Sequence, residues 1–132
     1  MKTHIPAVSV LMPAYNAEKF IGESIQSILN QTHSDFEFLI VDDASTDDTW
    51  GLIQHYRKMD HRIKIFKNHE NVYIAPTRNK LIDLSCAEYI VWQDADDISL
   101  PNRIKHQLEF MKKHSDVGIV GGFLQIINED GS

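Results

Sequence analysis

Apolar positions along the chain come in short runs, and their spacing alternates between strand-like and helix-like. Val8-Ser-Val-Leu-Met12 is a compact run closed by Pro13, and it predicts a first buried strand. Between Ala17 and Asn30, residues Phe20, Ile21, Ile25, Ile28 and Leu29 share one helical face, with Asn16 as the expected N-cap. Phe36-Glu-Phe-Leu-Ile-Val41 predicts a second strand, ended by Asp42-Asp43. Ser45-Thr-Asp-Asp48 has the form of a capping box, so a second helix is expected from there to about Met59, turning Trp50, Ile53 and Tyr56 inward. Arg62-Ile-Lys-Ile-Phe-Lys67 alternates polar and apolar, as a half-exposed strand does. A loop over 68–75 leads to Pro76, which suits the first turn of a short helix reaching about Ser85. Tyr89-Ile-Val-Trp-Gln93 predicts another buried strand. Ser99 and Pro101 then start a helix running to about His114, and Val117–Val120 and Phe123–Ile127 predict two last strands around Gly121-Gly122.

Strands alternating with helices of this length call for βαβ units, hence an α/β, Rossmann-like, mostly parallel sheet with helices on both faces. No repeat, low-complexity segment or interior linker divides the chain, so residues 1–132 are expected to form a single domain. The ending is different in kind. Asn128-Glu-Asp-Gly-Ser132 is a turn signal after a strand with no returning strand behind it, which suggests a fragment of a longer protein.

Composition narrows the partners. A formal charge of −6 argues against nucleic acid and means that an anionic ligand needs local cations. The seven histidines are scattered without zinc spacing, and the single cysteine, Cys86, excludes an internal disulfide and suits a reducing compartment. No apolar run is long enough to span a membrane, and Met-Lys-Thr-His-Ile-Pro6 lacks the apolar core of a signal peptide. These features suggest a cytoplasmic setting.

The chemistry concentrates where strands end. Asp94, Asp96 and Asp97 crowd three carboxylates into four positions, and they repel one another unless a cation sits among them. Mg²⁺ or Mn²⁺ suits such oxygens, and is commonly held by one or two carboxylates plus substrate phosphates. In a parallel α/β sheet the loops leaving the C-terminal strand ends gather on one side. Pro13-Ala-Tyr-Asn16, Asp42-Asp-Ala-Ser45 and Asp94-Ala-Asp-Asp97 would then share one crevice. An aromatic to flank a base, acids for a base N–H or ribose hydroxyls, and a metal cluster together fit a nucleoside diphosphate. No glycine-rich phosphate loop is present, so the metal must neutralise the diphosphate.

Six segments, in order, carry a family resemblance: Val8-Ser-Val-Leu-Met-Pro-Ala-Tyr-Asn16, Ser27-Ile-Leu-Asn-Gln-Thr32, Val41-Asp-Asp-Ala-Ser-Thr-Asp-Asp-Thr49, Thr77-Arg-Asn79, Glu88-Tyr-Ile90 and Asp94-Ala-Asp-Asp97. Together they resemble the family-2 glycosyltransferases of the GT-A fold. The resemblance implies a nucleotide-diphosphate sugar donor, UDP-linked by expectation, transfer with inversion, and Mn²⁺ or Mg²⁺ at a D-x-D motif. It also implies that Pro13, Ala14 and Tyr15 line the base and ribose pocket and that Asp43, or its neighbour Asp42, contacts the base. Arg78 then stands near the diphosphate, and Asp94 and Asp96 form the D-x-D pair touching ribose and metal. Asp97 is the alternative ligand beside Asp96. Val72, Ala87 and Gln93 depart from the family pattern, the first two where glycine is frequent and the third where an apolar residue is usual.

The same resemblance puts the general base and most of the acceptor site beyond Ser132. The chain would then hold donor and metal but transfer sugar poorly or not at all alone, and its glycan or lipid-linked acceptor would meet the missing half. Such enzymes build surface glycans, which leaves room for full-length protein at the inner face of the membrane. Two other α/β classes fit less well. A phosphorelay receiver carries its acid pair after the first strand, where this chain has Met12-Pro13, and a nucleotidyltransferase needs a glycine- and lysine/arginine-rich loop there. A nucleotide-binding module without catalysis shares every feature seen in this chain.

Overall fold

The computed structural model describes residues 4–132, so the first three positions of the N-terminal stretch lie outside the described residues. Four strands, β1 (Val8–Ala14), β2 (Phe36–Asp42), β3 (Ile63–Lys67) and β4 (Tyr89–Trp92), form one sheet in the order β3-β2-β1-β4. Every pairing is parallel, with Val8 opposite Phe36 and Tyr89, and Phe38 opposite Ile63. The helices α1 (Ile21–Leu29), α2 (Thr49–Met59), α3 (Ile74–Leu84) and α4 (Arg103–Lys113) complete the alternation.

Strand parity builds the two layers. Val8, Val10, Met12, Phe36, Phe38 and Ile40 point to one face, where Ile21, Ile25 and Ile28 of α1, Ile53 of α2 and Ile104 of α4 close the main core. Leu11, Leu39 and Val41 point to the other face and meet Leu81 of α3. Helices therefore cover both faces, as the α/β reading requires. Ser9 and Glu37 are the polar members of the α3 face. They are register partners, and the Ser9 hydroxyl donates to Glu37 Oε1 at 2.6 Å. Lys64 Nζ and the backbone N–H of Cys86 also donate to that carboxylate, which ties β1, β2, β3 and the segment before β4 together.

Several boundaries differ from expectation for identifiable reasons. Pro13 does not close β1, which runs on to Ala14. The Leu11 carbonyl accepts from Gln93 N on the β4 side, so the N–H that Pro13 lacks would have pointed to the same side, past the last β4 pair. Asn16, Ser45 and Ser99 do not cap helices. Helices α1, α2 and α4 begin at Ile21, Thr49 and Arg103, after turns, because those three side chains are taken by other bonds. Pro76 sits in the first turn of α3 as expected, with the helix starting at Ile74.

The two strands expected at Val117–Val120 and Phe123–Ile127 do not form. Ile119, Phe123, Leu124 and Ile126 are almost fully exposed, and no neighbouring strand takes up the backbone groups of this stretch. The turn after it does form: Gly131, at φ 83°, donates its N–H to Asn128 O at 2.9 Å.

Candidate active site

The loops leaving β1 and β2 are stitched to each other. Asp43 N donates to Ala14 O at 2.8 Å, Asn16 N to Ser45 Oγ at 2.9 Å, and Thr46 N to Asn16 Oδ1 at 2.8 Å. Asn16 adopts a left-handed φ of 47° to make that exchange. Glu18 Oε2 accepts from Asp48 N, and Asp47 Oδ1 from Thr49 N, so the start of α2 is satisfied by an acid from each loop. Pro13 and Ala14 are buried in this seam, whereas Tyr15 stands 49% exposed above it.

The acid pair divides between the two faces of the sheet. Asp42 is wholly buried on the α2 side. Its Oδ2 lies 3.7 Å from Lys67 Nζ and accepts from Ser45 N, while Oδ1 has no partner among the described residues. Lys67 in turn lies over the Trp50 ring at 5.3 Å. Asp43 turns to the α3 side, where Oδ1 accepts from Asn68 Nδ2 at 2.8 Å and Val72 N at 3.0 Å. Its Oδ2 has no hydrogen bond among the described residues. Asp43 thus has a free acceptor oxygen and a fixed orientation, and Asp42 is held inside by β3.

At the end of β4 the chain turns through Asp94-Ala-Asp-Asp97, with all three acids exposed and Ala95 tucked into the core. Arg78, from α3, donates from Nη2 to Asp94 Oδ1 at 3.0 Å and lies over the Trp92 ring at 5.1 Å. Its Nε is buried without a partner. Partial burial raises the Asp97 carboxyl above its ordinary value, and the charges of Asp94 and Asp96 raise it further against the opposing pull of Arg103. Burial likewise lowers the Arg103 guanidinium, which Asp97 and Asp94 partly offset.

The acid loop therefore carries net negative charge that Arg78 and Arg103 offset only in part. Among the described residues no three His, Cys, Asp or Glu side chains are drawn into a ready-made cation cage. Two neighbouring exposed carboxylates, Asp96 and Asp97, are a donor set that fits Mg²⁺ or Mn²⁺ when a diphosphate and water fill the remaining positions. The fold brings Tyr15, Asp43, Arg78 and the acid loop to one sheet edge and turns Asp42 away from it.

Sequence reasoning missed the groups behind these residues. Asn68, gripped from the far side by Lys80 Nζ at 2.8 Å, orients Asp43. Arg103 reaches back from α4 to Trp92 O and Gln93 Oε1. The one visible signal was Gln93, an amide in an otherwise apolar run.

The sequence model of "Glycosyl transferase family 2" matches residues 9–132. An uncharacterized glycosyltransferase of Methanocaldococcus jannaschii is 39% identical over 96% of this chain and 44% of its own length. The Escherichia coli UDP-Glc:alpha-D-GlcNAc-diphosphoundecaprenol beta-1,3-glucosyltransferase WfgD is 35% identical over 93% of this chain and 47% of its own length. S. aureus TarS (residues 1–349), solved in complex with UDP-GlcNAc, superposes with a TM-score of 0.76 at 30% identity, over 82% of this chain and 32% of that 1–349 chain. The chain thus spans less than half the length of these relatives. With the parallel sheet, the loop cluster and these likenesses together, the chain belongs to glycosyl transferase family 2, an enzyme family, and has its GT-A fold.

Proposed function

We propose that this chain is the donor-binding half of an inverting glycosyltransferase that uses a UDP-linked sugar and a divalent cation to build a surface glycan. One observation carries the reading: Tyr15, Asp43, Arg78 and the Asp94–Asp97 loop converge on the C-terminal edge of the sheet. Tyr15 offers an exposed ring to the base, and Asp43 Oδ2 offers an acceptor for a base N–H. Asp94 serves the ribose, and Arg78, released from Asp94, supplies a planar cation to the diphosphate. Asp96 and Asp97 would hold Mn²⁺ or Mg²⁺. A bound cation neutralises the charge that gathers on the diphosphate as it leaves.

The displacement forms a bond from an acceptor hydroxyl to the anomeric carbon, breaks the bond from that carbon to the diphosphate, and passes the hydroxyl proton to a base. That base lies outside this chain in our reading, together with the site for a glycan or lipid-linked acceptor. Likeness to a glucosyltransferase named for UDP-Glc and to a UDP-GlcNAc complex supports the donor class. No helix of the described residues is long and apolar enough to cross a membrane. We place the reaction in the cytoplasm, where nucleotide sugars are made.

Calorimetric titration of UDP with Mn²⁺, then with EDTA, tests the reading. Binding is expected only with metal, and Asp96→Ala is expected to weaken it by more than about tenfold, the scale on which even outer-shell partners of metal ligands act. Metal-independent binding, or full affinity in Asp96→Ala, contradicts the metal assignment.

A further inference from the structure

We propose that Gln93 is a positioning residue that sets the Asp94–Asp97 loop for its cation; the inference rests on the donor-site reading above. Gln93 is 1% exposed, immediately before the acids. A buried amide is costly unless its hydrogen-bonding groups are matched, so its partners reveal what it is for. Its amide orientation follows from chemistry: a guanidinium can only donate and a carbonyl can only accept. The Oε1 end accepts from Arg103 Nη1 at 2.9 Å and Ser99 Oγ at 2.6 Å. The Nε2 end donates to Asp97 O at 2.7 Å and Ser24 Oγ at 3.0 Å.

Through its donor end Gln93 reaches both ends of the acid loop, one directly and one by way of Ser24. Asp97 O is the loop's last carbonyl, and Ser24 passes its own proton to Asp94 O, the loop's first, at 2.8 Å. One amide therefore spans the acid loop from behind. Arg103 anchors that amide by a second bond to Ser99 Oγ at 2.9 Å and a third to Trp92 O at 3.0 Å. The acid side chains face outward with no side-chain partner except Arg78. Their separation is thus set by the backbone, and the backbone by Gln93. A side chain serving the core alone has no reason to bond one end of the loop it precedes directly and the other through Ser24.

Two variants separate positioning from packing. Gln93→Met keeps the length of the side chain and removes every bond; Gln93→Glu keeps the acceptors for Arg103 and Ser99 and removes the donors to Asp97 O and Ser24. On the full chain, UDP binding is read by calorimetry with Mn²⁺, and the fold by nucleotide-free ¹⁵N NMR spectra in EDTA, alongside thermal melts. Both variants are expected to lose about 10–100-fold in Mn²⁺-dependent UDP affinity, with the nucleotide-free spectra changed only around the Asp94–Asp97 loop. Gln93→Glu is expected to melt near the unaltered chain, because its carboxylate pairs with Arg103. Full Mn²⁺-dependent affinity in Gln93→Glu overturns the inference alone. So do nucleotide-free shift changes spread through the α1 and α4 core in Gln93→Glu, or unfolding of both variants, since either assigns Gln93 to the core. Absence of metal-dependent UDP binding by the unaltered chain overturns the donor-site reading and the inference with it.

Discussion

Tyr73 stands at φ 67° and ψ 177°, a backbone region that glycine enters freely and side chains avoid, directly before α3 and beside the Val72 N–H that Asp43 holds. Its side chain is mostly exposed, so little packing offsets the strain. Tyr73→Gly should therefore stabilise the fold by about 1 kcal/mol, the strain of 1–3 kcal/mol less the greater freedom glycine gives the unfolded chain. A thermal melt should rise by a few degrees, and an unchanged or lower midpoint would mean the loop depends on the ring. The glycine-frequent position noted from sequence, Val72, lies one residue away: a pattern of residue types does not carry φ. At this scale the crowding of three exposed carboxylates at one strand end was legible, because they lie within four positions of the sequence. Asp42 and Asp43 could not be told apart, since strand parity decides which face each one takes, and the two part company only once β2 is paired.

Among the elements, the joint that matters most is Glu37. Burial alone would push its carboxyl up, but bonds from Lys64, Ser9 and Cys86 outweigh that and bring it down to about 2 from 4.5. A carboxylate lowered in the folded state stabilises the fold fully above its unfolded value. That contribution, on the order of 3 kcal/mol, is lost as pH falls from about 4.5 towards 2. Stability measured by urea unfolding between pH 7 and pH 2.5 should fall more steeply in the unaltered chain than in Glu37→Gln over that window. Parallel curves would show that the carboxylate is not the coupling. Elements with strict alternation or one helical stripe were readable from sequence. Helix starts were not, because Asn16, Ser45 and Ser99, each a good cap by type, are drawn into bonds between loops. Val117–Val120 and Phe123–Ile127 have strand composition but no partner strand, and composition alone cannot make a ladder.

Over the whole molecule, parallel pairing aligns three loop ends on one edge and leaves the other edge to His4, Asp35, Arg62 and Lys64. Both edges carry charge, and among the described residues the first gathers acids, an exposed aromatic and a cation at the C-terminal strand ends. The central claim is that the nucleotide sits on that first edge. The most direct test is an NMR map of the ¹⁵N-labelled chain titrated with UDP and Mg²⁺. Shifts should concentrate on Tyr15, Asp43, Val72, Arg78 and Asp94–Asp97 and reverse with EDTA. Shifts confined to His4, Asp35 and Arg62, or none at all in a folded chain, would contradict the account.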